Sequence, residues 1–188
     1  MKSRNTKTNQ LTYTISEHQH RFAAWAASRA ASVKGCRFTV KQGQTILETC
    51  GFNSDLFDPE QLPSPKYMMR THREWRQKVI KTAKSQGKKF THGVAAKLIN
   101  CYLKSRFVCA NHHSHERVKY LHPPIDAVLL KALSSTKSGK YADEWREIRK
   151  IPWSRFNSTQ YENVIGLIKK SIVGEPLWMI EEYWKGNR

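Results

Sequence analysis

Apolar residues along this chain recur at steps of three and four. Nowhere do they alternate with period two over the length of a strand, so the pattern predicts helices throughout and an all-α fold. The first predicted helix opens at Ser16, where Ser16 and Gln19 have capping-box spacing, and follows Phe22, Trp25, Ala26, Ala30 and Val33 to a stop at Gly35. Thr39 and Gln42 repeat the cap ahead of Ile46, Leu47 and Cys50, with Gly51 as the stop. Residues 53–63 read as a loop. Ser64-Pro65 is predicted to open a long helix, with Ser as N-cap and Pro at its first position. Met68, His72, Trp75, Val79 and Ala83 form its apolar side, Arg70, Arg73, Lys78, Lys81 and Lys84 decorate the rest, and Gly87 ends it.

A short polar connection, residues 88–93, leads into a further predicted helix from Val94 to about Val108. At 100° per residue, Val94, Ala95, Leu98, Ile99, Tyr102 and Leu103 cover one broad arc facing the core. Lys97, Asn100 and Lys104 fall on the opposite arc, with Cys101 at its margin, so Lys97 is expected to look into solvent or a cleft. Residues 109–121 read as a polar, basic loop that ends at the Pro123-Pro124 corner, followed by a helix from about Asp126 to Leu133. Residues 134–140 are a flexible connection; Asn157 with Gln160 caps a helix carrying Tyr161, Val164, Ile165, Ile168 and Ile172, and a last helix holds Leu177, Ile180 and Trp184. The whole reads as one helical domain over residues 16–188. The polar, cationic residues 1–15 precede it as an arm, either a solvated tail or a contact for phosphates.

Charge then narrows the partner. The 188 residues carry 33 Lys+Arg against 15 Asp+Glu, a net charge of +18 with a pI near 10.0. That excess suits a polyanion, and double-stranded DNA is the expected partner of a monomeric protein. No apolar run is long enough to span a bilayer and no signal-peptide pattern is evident, so membranes are excluded as a partner and the expected location is the cytoplasm, at the nucleoid through DNA binding. Cys36, Cys50, Cys101 and Cys109 show neither CxxC pairing nor iron–sulfur clustering, and are expected to stay reduced.

The chemistry concentrates in Phe90-Thr91-His92-Gly93-Val94-Ala95-Ala96-Lys97 and, 29 positions after the lysine, Asp126 of His122-Pro123-Pro124-Ile125-Asp126. A primary amine beside a carboxylate is a reactive pair: the amine is a nucleophile, and the carboxylate can accept a proton or offset positive charge. An isolated lysine is ordinarily a surface residue, and an aspartate after Pro-Pro is ordinarily an N-cap; capping keeps the carboxylate ionised, so it is compatible with catalysis. Cys109, His112, His113, His115 and His122 supply metal-ligand types, but adjacent histidines in one loop rarely converge on one tetrahedral ion, so a solvated loop and no metal are expected. Trp25, Trp75 and Trp178 are expected in the core, while Trp145 or Trp153 could stack on a base or wedge a duplex.

Helix, glycine turn, a lysine four residues after the glycine and a proline-led aspartate together resemble the helix-hairpin-helix DNA glycosylase superfamily, over about residues 70–133 and most specifically at Gly93-Val94-x-x-Lys97 and Pro124-Ile125-Asp126-x-Val128. The resemblance implies a hairpin at about residues 87–97, a catalytic aspartate segment at residues 122–133, Lys97 as lyase nucleophile and Asp126 as the essential carboxylate. It further implies Cys101 in the base pocket, as in the 8-oxoguanine branch, and no cofactor. Lys88, Lys89, His92, Gly93 and Ala95 would meet DNA, the backbone amides at the helix start holding a phosphate. The implied activity is flipping out and excising a damaged or modified base, an 8-oxoguanine-like purine or a hypermodified cytosine of phage DNA, in repair or antiviral defence. Ala95 stands where the family has its second glycine, and Thr91-His92 where it has Leu-Pro. Other readings of the same residues are a non-enzymatic basic DNA-binding protein and a metal-dependent nuclease built on the histidine loop.

Overall fold

A computed structural model of the chain describes residues 13–135 and 141–186. Its secondary structure there is helical apart from one isolated bridge, Val33 to Cys36. The helices are α1 (Ile15–Ala31), α2 (Val40–Thr49), α3 (Met68–Ser85), α4 (His92–Leu103), α5 (Glu116–Lys119), α6 (Ala127–Ser135), α7 (Ala142–Arg149) and α8 (Ser158–Ser171). A π-helix, Lys104–His112, continues α4, and 3₁₀ segments lie at Pro59–Gln61, Trp153–Arg155 and Leu177–Tyr183. The arm expected over residues 1–15 lies outside the described residues up to residue 12, as does most of the connection expected over residues 134–140.

Where local chemistry alone sets a helix end, the expected ends are found. Thr39 and Gln42 close a capping box at α2, and Asn157 and Gln160 close one at α8. Gly87, at φ +72°, terminates α3 in a Schellman arrangement: the Lys88 N–H donates to Ala83 O and the Gly87 N–H to Lys84 O. Two starts shift. Thr14, not Ser16, caps α1, accepting from the Glu17 N–H, and α3 begins at Met68 after a turn closed by Tyr67 N–H to Ser64 O.

α4 is the spine of the molecule. One core packs α1, α2 and α3 against it, with Ala27, Leu47, Met68, Val79, Leu98 and Tyr102 fully or almost fully buried. A second core, built by α6, α7, α8 and the Leu177–Tyr183 segment around Leu129, Trp145, Ile165 and Ile180, meets it through Ala96. Every residue from Gly93 to Asn100 is therefore buried. This corrects the expected polar arc at Asn100, which is interior because both sides of α4 carry neighbours; Lys97 is buried too, but on the wall of a cavity, one of the two settings expected for it.

The packed face of α1 also departs from expectation. Ala23, Ala24, Ala27 and Ala31 are wholly buried on α1, which packs on α4 and α2, while Phe22 and Trp25 remain 58% and 51% exposed. Alanines let the two helix backbones come close, whereas the aromatic stripe would hold them apart. On α3, Arg76 takes the fully buried position and Trp75 is half-buried. Trp178 is half-buried too, and Trp145, on a helix the apolar pattern did not reveal, is core rather than free to wedge a duplex.

Candidate active site

Lys97 owes its place to the first turn of α4. Thr91 caps the helix, its hydroxyl oxygen accepting from the Val94 N–H (3.1 Å) while its O–H donates to Ser154 O (2.7 Å). The Gly93 N–H donates to Phe156 O (3.1 Å), which draws the 153–156 segment across the helix start. A Cβ at Gly93 would stand 1.8 Å from Trp153 O, so only glycine fits beneath that carbonyl. One turn on, Lys97 Nζ lies 5.8 Å from the centre of the Trp153 ring.

Asp126 is placed by a separate polar lattice. The amide nitrogen of Asn100, three residues beyond Lys97, donates to Pro123 O (2.8 Å) and to the Tyr161 hydroxyl (3.0 Å), while its oxygen accepts from His72 Nε2 (2.7 Å). The Tyr161 O–H is then left to donate to His122 Nδ1 at 3.0 Å. Buried Asn100 thus grips the carbonyl inside the Pro-Pro corner and pins the corner to α4. Beyond it, Asp126 Oδ1 accepts the Leu129 N–H (2.9 Å) as N-cap of α6, and Oδ2 accepts from Lys97 Nζ (2.9 Å) and from Trp184 Nε1 (2.9 Å). Burial pushes the Asp126 carboxyl up, but the Lys97 charge and these three donors together hold it below its ordinary value. The cap and the ion pair coexist on one carboxylate.

The pair forms one wall of a cavity of about 420 Å³. Ala26 and Ala30 of α1 form another wall, and Cys101, Lys104 and Ser105 carry it onto the start of the π-helix. Glu181 and Trp184, from the C-terminal segment, close it. Lys104 pairs with Glu181, whose carboxyl is raised by burial in spite of the pairing. Burial pushes the Cys101 thiol up to about 11, so at neutral pH it is a neutral, polarisable group facing the cavity. Charge recognition is confined to Lys97–Asp126 and Lys104–Glu181; the rest of the lining is apolar or neutral. The lysine, the aspartate and Cys101 were legible in the chain. Glu181, Trp184 and the two alanines were not, since none belongs to a motif.

The expected DNA-contacting residues divide. Lys89 is exposed and Lys88 half-buried, whereas Gly93 and Ala95 are buried. Three amides at the helix start are not free to hold a phosphate: Gly93 gives its N–H to Phe156 O, Val94 to Thr91 Oγ1 and Ala95 to Thr91 O. Gly93 serves packing, and Lys88 and Lys89 are the cations at the hairpin. His92 is half-buried, its imidazole held below its ordinary 6.5 by burial and the Arg76 charge. The histidines beyond α4 diverge. His115 caps α5 and meets Glu60, His113 lies edge-on to Trp178, and His122 is buried beside Tyr161. Among the described residues no three His, Cys, Asp or Glu side chains are grouped to hold a metal ion, and no helix is long and apolar enough to cross a membrane. Compared with protein-family models, curated proteins and solved structures, the chain matches none.

Proposed function

We propose that the protein is a DNA glycosylase with an accompanying lyase step, acting on a nucleotide rotated out of the duplex. The observation that carries this reading is the Lys97 amine, 2.9 Å from Asp126, on the wall of a cavity of about 420 Å³. That volume lies in the range of roughly 300–1,000 Å³ typical of small-ligand sites. The net charge of +18 supplies the affinity for a polyphosphate backbone that such a reaction needs.

The residues act in sequence. Attack needs the amine neutral, and the acceptor within reach of its proton is Asp126 Oδ2. The amine then forms a bond to C1′ as the C1′–N bond breaks; the base departs with the bonding pair and takes from Asp126 the proton that Lys97 gave up, which leaves Asp126 a carboxylate again. Asp126, anchored by the α6 amide and by Trp184, offsets positive charge on the sugar as that bond lengthens. Ring opening yields a Schiff base on Lys97, from which loss of the C2′ proton expels the 3′ phosphate. Trp153 and Trp184 flank the pair with apolar surface that limits water.

The rival view of a non-enzymatic DNA-binding protein gripping phosphate through hairpin amides gains no support from amides bonded within the fold. The decisive test incubates the protein with duplexes carrying 8-oxoguanine, uracil, alkylated bases, modified cytosines or an abasic site, in the presence of borohydride. A covalent adduct is expected, and Lys97→Gln should form none. Alkali-labile sites without an adduct would remove Lys97 as nucleophile; neither product on any duplex would remove the glycosylase reading.

A further inference from the structure

The outward face of α1 leads directly into the cavity. Phe22, Ala26 and Ala30 are spaced by four residues and so share one stripe, of which the last two line the cavity beside Lys97. Trp25 stands next to Phe22, their ring centres 5.9 Å apart, and both rings are more than half exposed. One helical turn, about 5.4 Å, separates Phe22 from the cavity wall. Nothing in the described fold covers the two rings.

Their electrostatic setting selects the occupant. Residues 18–47 contain no aspartate or glutamate, and the one carboxylate of α1, Glu17, is paired with Arg21 at 2.6 Å. Arg29 lies exposed farther along the helix, and the turn after it carries exposed Lys34 and Arg37. The Cys36 thiol in that turn reaches Lys89 O at 3.6 Å, which sets the turn against the basic hairpin. The cavity therefore lies between an aromatic ledge and a cluster of cations, with no free carboxylate on α1 between them. A protein partner would call for carboxylate complementarity only at the cations. Stacked bases joined by phosphates satisfy both ends at once.

We infer that Phe22 and Trp25 form the stacking ledge for duplex DNA at the target nucleotide, occupying the gap in the base stack from which the nucleotide enters the cavity. The inference rests on the glycosylase reading for what enters the cavity, and it reassigns to α1 the wedging role that the sequence suggested for Trp145 or Trp153. Each ring placed against a base is worth roughly a five- to 150-fold gain in affinity. That gain appears only where the stack is already open, or is opened by the protein.

The test uses binding rather than turnover, so it stands apart from the chemistry. Affinities are measured for an intact duplex and for one holding a tetrahydrofuran abasic analogue, with wild type, Phe22→Ala/Trp25→Ala and Trp25→Leu. Wild type should prefer the abasic duplex. The double variant should lose that preference by about tenfold or more while holding intact duplex within about threefold, and Trp25→Leu should fall between. An unchanged preference in the double variant, or no preference in wild type, overturns the ledge. So does a wild-type dimer in sedimentation that the double variant dissolves, which would assign the face to a second copy. Failure of base release on every duplex would sink the glycosylase reading while leaving these binding results to decide the ledge.

Discussion

Two of the cation–carboxylate pairs that tie helical segments together in this protein are built in opposite ways. Arg76 of α3, with no exposed side-chain surface, meets Glu162 of α8 at 2.7 Å and lies over the Tyr161 ring at 4.3 Å. Arg73 adds a two-point clasp on Glu162 and Ser158 a further donor at 2.9 Å. Lys97 and Asp126 make one bond to each other, and both line a cavity. A guanidinium stays charged at any pH a protein survives, so the first pair holds the fold and can do little else. An amine can lose its proton to its partner and attack. The proposed chemistry follows from choosing lysine and leaving one side open.

The sharpest way to test the contrast is to cut each pair. Lys97→Gln should abolish borohydride trapping, and Asp126→Asn should slow base release by about 10²–10⁴-fold. Asparagine can still cap α6 but leaves the buried Lys97 amine without its carboxylate, so the second variant should lose about 1–3 kcal/mol in denaturant unfolding. Cutting the other pair should cost stability and spare the chemistry. Arg76→Met removes the buried partner of Glu162 while Arg73 and Ser158 still hold the carboxylate, and should cost about 1–3 kcal/mol, read as a fall in the unfolding midpoint, with the remaining folded protein trapping as wild type does.

Gly93→Ala separates packing from phosphate contact. Its Cβ would press on the Trp153 carbonyl, so a loss of about 1–3 kcal/mol is expected, without the uniform weakening across DNA sequences or the reduced salt slope that loss of a phosphate contact brings. The response to pH is spread over several units. Burial, and then the Arg76 charge, hold His72 down at about 3, and burial with His72 nearby depresses His122. Both are neutral in the fold, so the unfolded chain binds more protons below 6.5. Stability should be complete above that pH and fall as pH drops below it, by up to about 1.4 kcal/mol per unit for His72, with His122 adding to the loss. Glu162, held at about 2 chiefly by Arg73, adds a further loss as pH falls below its ordinary 4.5. Thermal melts between pH 8 and 4 check the sign: flat stability down to pH 5 would contradict a neutral histidine pair.

Much of the site was legible before any coordinates. The lysine, the aspartate and Cys101 meet at one cavity, with the Asp126 cap and the amine on the same carboxylate. The role of Gly93 was not, because a glycine required for close packing and one required for a phosphate look alike in a chain. The face of α1 was misread for a related reason. That helix carries both an alanine stripe and an aromatic stripe, and burial by size alone favours the aromatic one. α7 escaped because its inward residues are few: Trp145 is buried and Ile148 half-buried among charged neighbours.

What the chain determined by itself is local: the capping boxes of α2 and α8, the glycine stop of α3, the helical period and the large positive charge. Each depends on neighbours a few residues apart, or on a sum over all of them. Tertiary structure alone decided that α4 would be enclosed on both sides, that Lys97 would be buried with Asp126 instead of solvated, and that Glu181 and Trp184 would close the cavity. These outcomes depend on which surfaces meet across distant segments, where close approach of backbones outweighs the preference of any one side chain for the interior.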